Sequence, residues 1–373
     1  MSERKAMTAV QKMRAGLCGL LLVLVLPGLA EARNPYEVTG VRVDATAKSA
    51  SQARDIAIRQ GIAKAFRMLV SRSVTASDAA RVPTPAQAEL DSMVASFGVD
   101  KEKTSSTRYL AELTVAFKPD AVRNVFLRSG VQYSESLSQP VLVIPVWISP
   151  EGIPQLWGGD NPWMQGWQPL TNAREAIVPV VLPKGSQEDM MLVGVEEARA
   201  PVQDRLLMLA RNYRLDRVAV MQATPAPPAS DGSTVVNVDV LMLDGREEER
   251  FSKRIEARLT GSPKDLEPVA RAVQSTLAEQ WKSRTLVTGG YEEALRASVP
   301  IVSLDQWIGV EERLRKVPSV SSVNVDAVGP GGAAVTLTYR GSLNQLTLSL
   351  RENDLILDRG PSGGYRILSR ELR

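Results

Sequence analysis

The order of apolar and polar positions predicts alternating strands and helices from residue 36 onward. Residues 36–47 and 108–118 alternate as half-buried strands do, and a helical pattern runs between them from Ser49 or Ser51 to about Val70. The helix carries one row of large apolar residues and one row of small ones, which favours close packing on a sheet. The small row is Ala53, Ala57, Gly61 and Ala65.

Two further helices complete this first region. One is predicted near residues 85–97, and another begins at Pro119-Asp120 and ends at Gly130, because proline presets the first turn and glycine favours the end of a helix. We therefore expect a small α+β domain over residues 33–132, followed by a linker at residues 133–139.

The pattern in the middle of the chain predicts a mixed sheet flanked by helices. Val141 to Ile148 is a continuous apolar run interrupted by Pro145, which predicts a buried strand that lies at a sheet edge or carries a bulge at the proline. The remaining predicted elements are strands at 177–182, 217–222, 234–243 and 249–259 and helices at 201–213 and 263–282, the last capped by Ser262. Asp244-Gly245 predicts a hairpin between the last two strands.

The last part of the chain contains an internal repeat. Ser303 and Ser342 each precede a glutamine by three residues, the spacing of a capping box, and each is followed by a helix and then a strand. Two β-α-β halves in this order predict a ferredoxin-like split β-α-β arrangement. The fold class is therefore α+β, with three small α/β-type domains at residues 33–132, 140–283 and 284–373.

The N-terminus has the pattern of a secretory signal peptide. Basic residues precede an apolar run from Leu17 to Leu29, and the small-residue site Ala30-Glu31-Ala32 follows it. The run is shorter than the roughly 20 residues that span a bilayer. We expect export by the general secretory route, cleavage after Ala32, a periplasmic product and no membrane span after cleavage.

Charge and composition exclude several kinds of chemistry. Removal of residues 1–32 takes away Cys18, the single cysteine, and leaves a net charge of +1 and no histidine. Disulfides, cysteine or histidine zinc sites and histidine-dependent triads are then unavailable, and the charge gives no reason to expect nucleic-acid binding. We expect no metal, no cofactor and no catalytic residues.

Four of the six tryptophans fall between residues 147 and 167, interleaved with glycines. Such a cluster is typical of either a core and domain interface or an exposed contact site. Trp147 continues a strand and is expected in the core, whereas Trp157 and Trp163 flank a polar turn and are expected at the surface. The candidate partner-contact residues are Trp157, Asp160, Asn161, Trp163 and Trp167.

Three segments carry a family resemblance. They are VTGVRVDATAKSASQARDIAIRQGIAKAFRMLV, the LVIPVW strand with its LW…NPW…W continuation, and VPIVSLDQWIGVEERLRKVPSV. Together with the export signal, they resemble the exported bacterial proteins of domain-of-unknown-function family two-zero-six-six. The domain order is more distantly similar to that of the flagellar T-ring protein, and the central domain to the Tol translocation protein amino-terminal domain and the curli secretion lipoprotein.

These relatives act through protein contacts in the envelope, so the resemblance implies partners among envelope proteins. The predicted function is a non-enzymatic assembly or scaffold module of the Gram-negative envelope. The alternative is a carbohydrate or peptidoglycan-strand binder, or a hydrolase using Asp160 with Glu151 or Asp189, because aromatic rings stack on sugars and paired carboxylates cleave glycosidic bonds.

Overall fold

The structure, a computed structural model, describes residues 34–171, 173, 175–245, 247–262, 264–287, 292–360 and 363–369. The signal peptide predicted for residues 1–32 lies outside these ranges. The described residues belong to one compact unit, a mixture of helices and small sheets with both parallel and antiparallel strands. The α+β fold class is confirmed, while the three domain boundaries stay predictions.

The first sheet has three antiparallel strands in the order β1-β3-β2. Its elements are β1 (Glu37–Thr46), α1 (Ala50–Ser73), α2 (Gln87–Met93), β2 (Val94–Thr104), β3 (Arg108–Phe117) and α3 (Pro119–Arg128). Helix α1 packs on the sheet as its small row predicts. A Cβ atom on Gly61 would lie 2.4 Å from Leu113 Cδ1 and 2.8 Å from Val43 Cγ1, so a larger residue would have to displace these core side chains.

Strand β2 was not predicted, and the helix predicted to reach residue 97 is wrong beyond Met93. Residues 94–104 show no apolar alternation, because β2 is an edge strand whose side chains are mostly exposed and whose register shifts twice. Its conformation is fixed by pairing with β3 rather than by a pattern of its own.

The central sheet has the strand order β10-β9-β8-β5-β6, with β7 also paired to β5. Its strands are β5 (Val141–Ile148), β6 (Pro154–Gln155), β7 (Val180–Val181), β8 (Arg217–Pro225), β9 (Thr234–Asp244) and β10 (Glu247–Ala257), and its helices are α4 (Pro162–Trp167), α5 (Gln187–Leu192), α6 (Val195–Arg199), α7 (Gln203–Asn212) and α8 (Glu267–Thr285). Here β4 is Tyr133–Ser134, and it pairs with β11 (Leu286–Val287) outside this sheet.

Strands β5, β7 and β8 are parallel, and the hairpin predicted at Asp244-Gly245 joins β9 to β10. Helices α4 and α8 cover one face of the sheet, and α5, α6 and α7 cover the other. Helix α8 begins at Glu267 with Leu266 at its N-cap, later than predicted. Ser262 Oγ instead accepts a bond from the Lys264 N–H, and Pro263 lies outside the described residues.

The C-terminal sheet has the order β13-β14-β12-β16-β15. Its elements are β12 (Glu292–Val299), α9 (Leu304–Lys316), β13 (Val320–Gly329), β14 (Gly332–Arg340), α10 (Leu343–Arg351), β15 (Leu355–Arg359) and β16 (Tyr365–Ser369). The two predicted β-α-β halves are present. Strand β16 was not predicted; it lies between β12 and β15 and pairs with β12 in parallel.

Both predicted serine caps are present. Ser303 Oγ accepts from the Gln306 N–H at 3.2 Å, and Ser342 Oγ accepts from the Gln345 N–H at 3.3 Å. The box is reciprocal at Ser342, whereas Gln306 reaches back to the N–H of Val302 rather than to that of Ser303.

Residues 133–139, predicted as a linker, form a largely buried polar segment. Its side chains reach three different parts of the fold. Glu135 accepts bonds from the Tyr36 hydroxyl and the Arg123 guanidinium in the first region. Ser136 Oγ lies 2.9 Å from Ser349 Oγ on α10, and Ser134 Oγ lies 2.6 Å from Thr285 Oγ1 on α8. We call this segment the polar spine.

The polar spine ends beside a buried ion network. Arg217 donates to Asp244 at 2.7 Å and to Glu352 at 2.6 Å, and it also donates to Ser138 of the spine. Burial raises the pKa of the Glu352 carboxyl above its usual range, and the attraction of Arg217 opposes that rise. The guanidinium lies 5.1 Å from the ring centre of Trp281. The network joins the central sheet to α10.

Candidate functional site

The tryptophan-rich segment starts at the carboxyl end of β5 and passes through a loop into α4. Asn161 caps α4, because its Oδ1 accepts from the backbone N–H groups of Trp163 at 3.0 Å and Met164 at 3.1 Å. Its Nδ2 donates to the carbonyl oxygens of Pro145 at 3.0 Å and Leu156 at 2.9 Å. The Asn161-Pro162 pair therefore starts this helix, because asparagine caps it and proline presets the φ angle of its first turn.

These bonds fill a gap in the central sheet. On the side of β5 away from β8, β7 pairs with Val141 and Leu142, and β6 pairs with Trp147 and Ile148. Pro145 lies between these two pairings, where β5 has no neighbouring strand on this side. Proline has no backbone N–H, and here no strand stands ready to accept one, so no ladder hydrogen bond is lost. The local sheet edge predicted at the proline is confirmed, and the Asn161 side chain takes the place of the missing strand.

Trp163 and Trp167 lie in the core, with no exposed area. Their rings meet edge to face at 5.4 Å, and Trp163 Nε1 donates to the Met221 carbonyl on β8 at 2.9 Å. The surface position expected for Trp163 is therefore wrong. The physical reason is that α4 contacts both β5 and α8, so that its aromatic face packs inward.

Asn161 and Trp167 are also buried, so neither offers contact surface. Gly166, next to Trp167, allows α4 to pack closely against the start of α8; it does not serve to make the backbone flexible. A Cβ atom there would lie 2.8 Å from the backbone carbon of Leu266, where α8 begins. Sequence reasoning missed this close approach, because α4 and Leu266 are about a hundred residues apart.

Trp157 and Asp160 are the candidate residues that reach the surface. Trp157 is half-buried, and its Nε1 donates to the Val193 carbonyl at 2.8 Å, just beyond the end of α5. A Cβ on Gly185, just before α5, would lie 3.6 Å from the Trp157 ring. The ring therefore lies against both ends of the short helix α5.

Two methionines on α5 are exposed: Met190 at 45% and Met191 at 75%. Together with Glu188 and the Trp157 ring they form what we call the α5 surface, and Asp160 is exposed in the loop three residues after Trp157. Sequence reasoning predicted the tryptophan of this surface but not its methionines, because a six-residue helix is too short to show a periodic pattern.

The carboxylates that a hydrolase would need are used elsewhere or exposed. Asp189 is buried, forms a capping box with Ser186 and accepts from the Tyr213 hydroxyl at 2.7 Å. Burial and the nearby Asp189 raise the pKa of Tyr213 to about 12. Glu151 accepts from Ser149 Oγ at 2.6 Å, a bond that lowers the pKa of its carboxyl. Asp160 is exposed.

The alternative of a sugar site requires accessible ring faces. Five of the six tryptophans are buried, and these are Trp147, Trp163, Trp167, Trp281 and Trp307. Trp157 alone is half-exposed, so no stack of indoles is presented to a sugar. Among the described residues, no group of three or more metal-ligating side chains is placed to hold a metal ion.

Comparisons with known proteins give weak structural likeness only. No family model matches the chain, and no curated protein matches it. Among solved structures, the lipoprotein GNA1162 from Neisseria meningitidis aligns with 39% of this chain and 98% of its own, with 18% identity and a TM-score of 0.23. A TM-score this low does not establish a common fold. Within the described ranges, no helix is both long and apolar enough to cross a membrane.

Proposed function

We propose that this protein is a non-enzymatic module of the bacterial cell envelope that acts through protein contacts at the α5 surface. The observation that carries the proposal is the exposure of Met190 and Met191 on α5, the helix whose two ends contact the half-buried ring of Trp157. Exposed apolar side chains grouped on one helix cost solvation free energy unless a partner covers them.

The composition of the α5 surface suits a protein partner. Methionine is flexible and polarizable, so it adapts to irregular apolar surfaces, and tryptophan provides a rigid contact at low entropic cost. The charged member of this surface, Glu188, is acidic and exposed. We therefore expect a partner segment with apolar anchors and basic neighbours.

The expected export to the periplasm supports the same function. The N-terminal pattern is that of a signal peptide, and the resemblance to domain-of-unknown-function family two-zero-six-six implies an exported protein. We propose that the protein is a member of that family and is located in the periplasm. N-terminal sequencing of the exported protein should give Arg33 as the first residue, and an intact Met1 would contradict cleavage.

Site-specific cross-linking tests the contact. A photoreactive phenylalanine analogue replaces Met191 in the full chain, and the same analogue replaces Ser252, an exposed polar residue on β10, as the matched control. After irradiation of intact cells, we expect discrete adducts from position 191. Met190→Glu should remove them, because a charge at the centre of an apolar contact is costly to desolvate.

Two outcomes would contradict the proposed contact. The same adducts from positions 191 and 252 would mean that labelling is unspecific. Adducts from 191 that persist in Met190→Glu would mean that the methionines do not form the contact. Thermal melting of each variant serves as the folding control, because both methionines are exposed and neither change should unfold the protein.

A further inference from the structure

Strand β10 is a long edge strand whose pairing is regular along its whole length. It forms one edge of the central sheet, and its 11 residues pair with β9 without a register shift. The other described edge strands of ten or more residues, β1, β2 and β13, each contain one or two register shifts. Such irregularities hinder pairing with another chain, so β10 is the long edge best suited to accept a further strand.

The free side of β10 is open to solvent. In the part of the chain that the structure describes, β9 is the one strand that pairs with it, and seven of its 11 residues are exposed. Its large apolar residues, Phe251 and Ile255, are half-buried against the core that α8 covers. The strand contains no proline, so each residue has a backbone N–H.

The charges of β10 are ordered along the strand. Three glutamates open it at positions 247–249, and its basic residues follow at positions 250, 253 and 254. An antiparallel copy of the strand presents the same charges in reverse order. The acidic end of one copy therefore faces the basic end of the other.

Symmetry restricts how two such strands can align. Two copies that join their sheets through the same antiparallel edge are related by a two-fold axis perpendicular to the sheet. This axis keeps every side chain on its own face, so odd-numbered residues face odd-numbered ones and even-numbered residues face even-numbered ones. The axis must therefore pass through a residue and not between two residues.

One position of the axis brings opposite charges together. With Phe251 on the axis, Glu248 faces Arg254, Glu249 faces Lys253, and Arg250 faces the neutral Ser252. By symmetry each of these contacts occurs twice, and the two Phe251 rings face each other. Opposite charges and aromatic pairs across neighbouring strands are stabilising.

The neighbouring positions of the axis bring like charges together. An axis at residue 249, 250 or 253 sets that charged residue opposite its own copy. An axis at Ser252 sets Arg250 opposite Arg254, and Glu248 opposite Glu256. Like charges directly opposite each other are destabilising, so the charges of β10 favour the alignment centred on Phe251.

The two cations of this alignment are available. Among the described residues, neither Lys253 nor Arg254 forms an ion pair, and both are exposed. Glu248 is paired with Arg250, and Glu249 with Arg284, but a carboxylate has two oxygens that each accept more than one hydrogen bond. Exposed ion pairs contribute little affinity, so these charges select the alignment while backbone hydrogen bonds hold the strands together.

We propose that β10 pairs antiparallel with β10 of a second copy of this chain, with Phe251 on the two-fold axis. The two central sheets then form one continuous sheet. The contact of two strands is smaller than a standard protein interface, so dimerisation is reversible and depends on concentration. The inference is independent of the α5 surface and adds a second interaction surface to the molecule.

Sedimentation velocity of the chain from Arg33 onward tests the dimer. We expect a dimer fraction that rises with protein concentration. Arg254→Glu should weaken dimerisation at least about tenfold, because symmetry turns two attractive pairs into two repulsive ones. Glu248→Arg should act in the same way, and Glu248→Arg combined with Arg254→Glu in one chain should restore the dimer.

Two controls accompany the charge reversals. Arg59→Glu, at an exposed position on α1, changes the net charge by the same amount as Arg254→Glu and should leave the dimer unchanged. Circular dichroism checks the fold of each variant, and the restored dimer of the combined variant excludes unfolding as the cause of the loss.

Disulfide trapping tests the alignment, because the chain from Arg33 onward contains no cysteine. Chains with Arg250→Cys are mixed with chains with Ser252→Cys and oxidised. The mixed disulfide should exceed both homodimeric ones. Its two Cβ atoms lie directly opposite at about 4.5–5.5 Å, whereas those of each homodimer lie on a diagonal at about 7–8 Å, beyond the reach of a disulfide.

Three results would overturn the proposal: a monomer at every concentration, a dimer that Arg254→Glu leaves unchanged or the combined variant does not restore, or equal yields of the three disulfides. In cells, the photoreactive analogue at Ser252 should give an adduct of twice the chain's mass. An adduct with a different protein would assign this edge to that protein's strand instead of a second copy. None of these results alters the adducts expected from position 191.

Discussion

The side chain of Asn161 replaces a missing strand at Pro145: its Nδ2 donates to the proline's carbonyl oxygen at 3.0 Å, while its Oδ1 caps α4. One amide thus serves as donor to the sheet and acceptor from the helix. Asparagine can do both because its side-chain amide carries an NH₂ donor and a separate carbonyl acceptor.

Asn161→Asp should therefore destabilise the protein at least as much as Asn161→Ala. Aspartate is as good an N-cap as asparagine at a helix start, but here its second oxygen would face the carbonyls of Pro145 and Leu156. We expect a loss of about 1–3 kcal/mol in the free energy of unfolding, the cost of an unsatisfied buried polar group. Urea denaturation measures it, and a stable Asp variant would contradict the donor role.

The buried ring of Trp163 predicts a large stability effect. Trp163→Ala and Trp147→Ala should each cost about 3–5 kcal/mol in the free energy of unfolding, because each leaves a cavity. Trp157→Ala should cost less, since its ring is half-exposed, although it removes the bond to the Val193 carbonyl. Equal urea midpoints for Trp157→Ala and Trp163→Ala would contradict this order.

The two serine caps predict a pair of matched effects. Ser303→Ala and Ser342→Ala should each lower the free energy of unfolding by about 1 kcal/mol. Both serines are exposed, so the change removes the cap bond without opening a cavity. Ser252→Ala, which removes an exposed side-chain bond to Asp239 outside any helix, is the control. Thermal melting that is unchanged in both cap variants would show that the caps add nothing to stability.

The ion network predicts a charge-specific effect at Glu352. Glu352→Gln keeps the shape of the side chain but weakens its bonds to Arg217, which retains Asp244. We expect a loss of about 1.5–3 kcal/mol, the range for hydrogen bonds to charged groups. Glu256→Gln, exposed on β10, should change stability by less than about 0.5 kcal/mol. If urea denaturation gives the same free energy of unfolding for Glu352→Gln and Glu256→Gln, the ion network does not stabilise the fold.

The pair Asp44–Arg108 predicts a pH-dependent effect. Hydrogen bonds from Arg108 hold the pKa of the Asp44 carboxyl below its usual range. The folded state therefore favours the ionised carboxyl, so the stability gained is present above the ordinary pKa and is lost as pH falls through the lowered one.

In Arg108→Gln the carboxyl of Asp44 should titrate nearer its ordinary pKa, as followed by its carbon-13 shift. The stability difference between wild type and variant should shrink as pH falls below about 4. An Asp44 carboxyl that titrates at its ordinary pKa in the wild type would contradict the prediction.

The elements that the sequence predicted correctly carry their information locally. The small-residue row of α1, the alternation of β3, the Asp244-Gly245 turn and the serine caps each depend on residues within a few positions of one another. Strand β2 and helix α5 were missed because neither has a periodic pattern.

The candidate site was predicted only in part for a different reason. Exposure of Trp157 and burial of Trp163 depend on α5 and α8, which are distant in sequence. The spacing of the tryptophans is compatible with either arrangement. The packing of α4 against α8, and not any feature of residues 157–167 alone, decides which ring remains accessible.

The polar spine has a practical consequence for dividing this protein into pieces. A fragment that stops at residue 132 would keep Tyr36 and Arg123 but lose Glu135, to which both donate. A fragment that starts at residue 140 would lose Ser136, whose carbonyl receives the Trp281 indole N–H. A cut within residues 133–139, the predicted linker, would therefore leave both fragments with hydrogen-bond donors that have lost their acceptors.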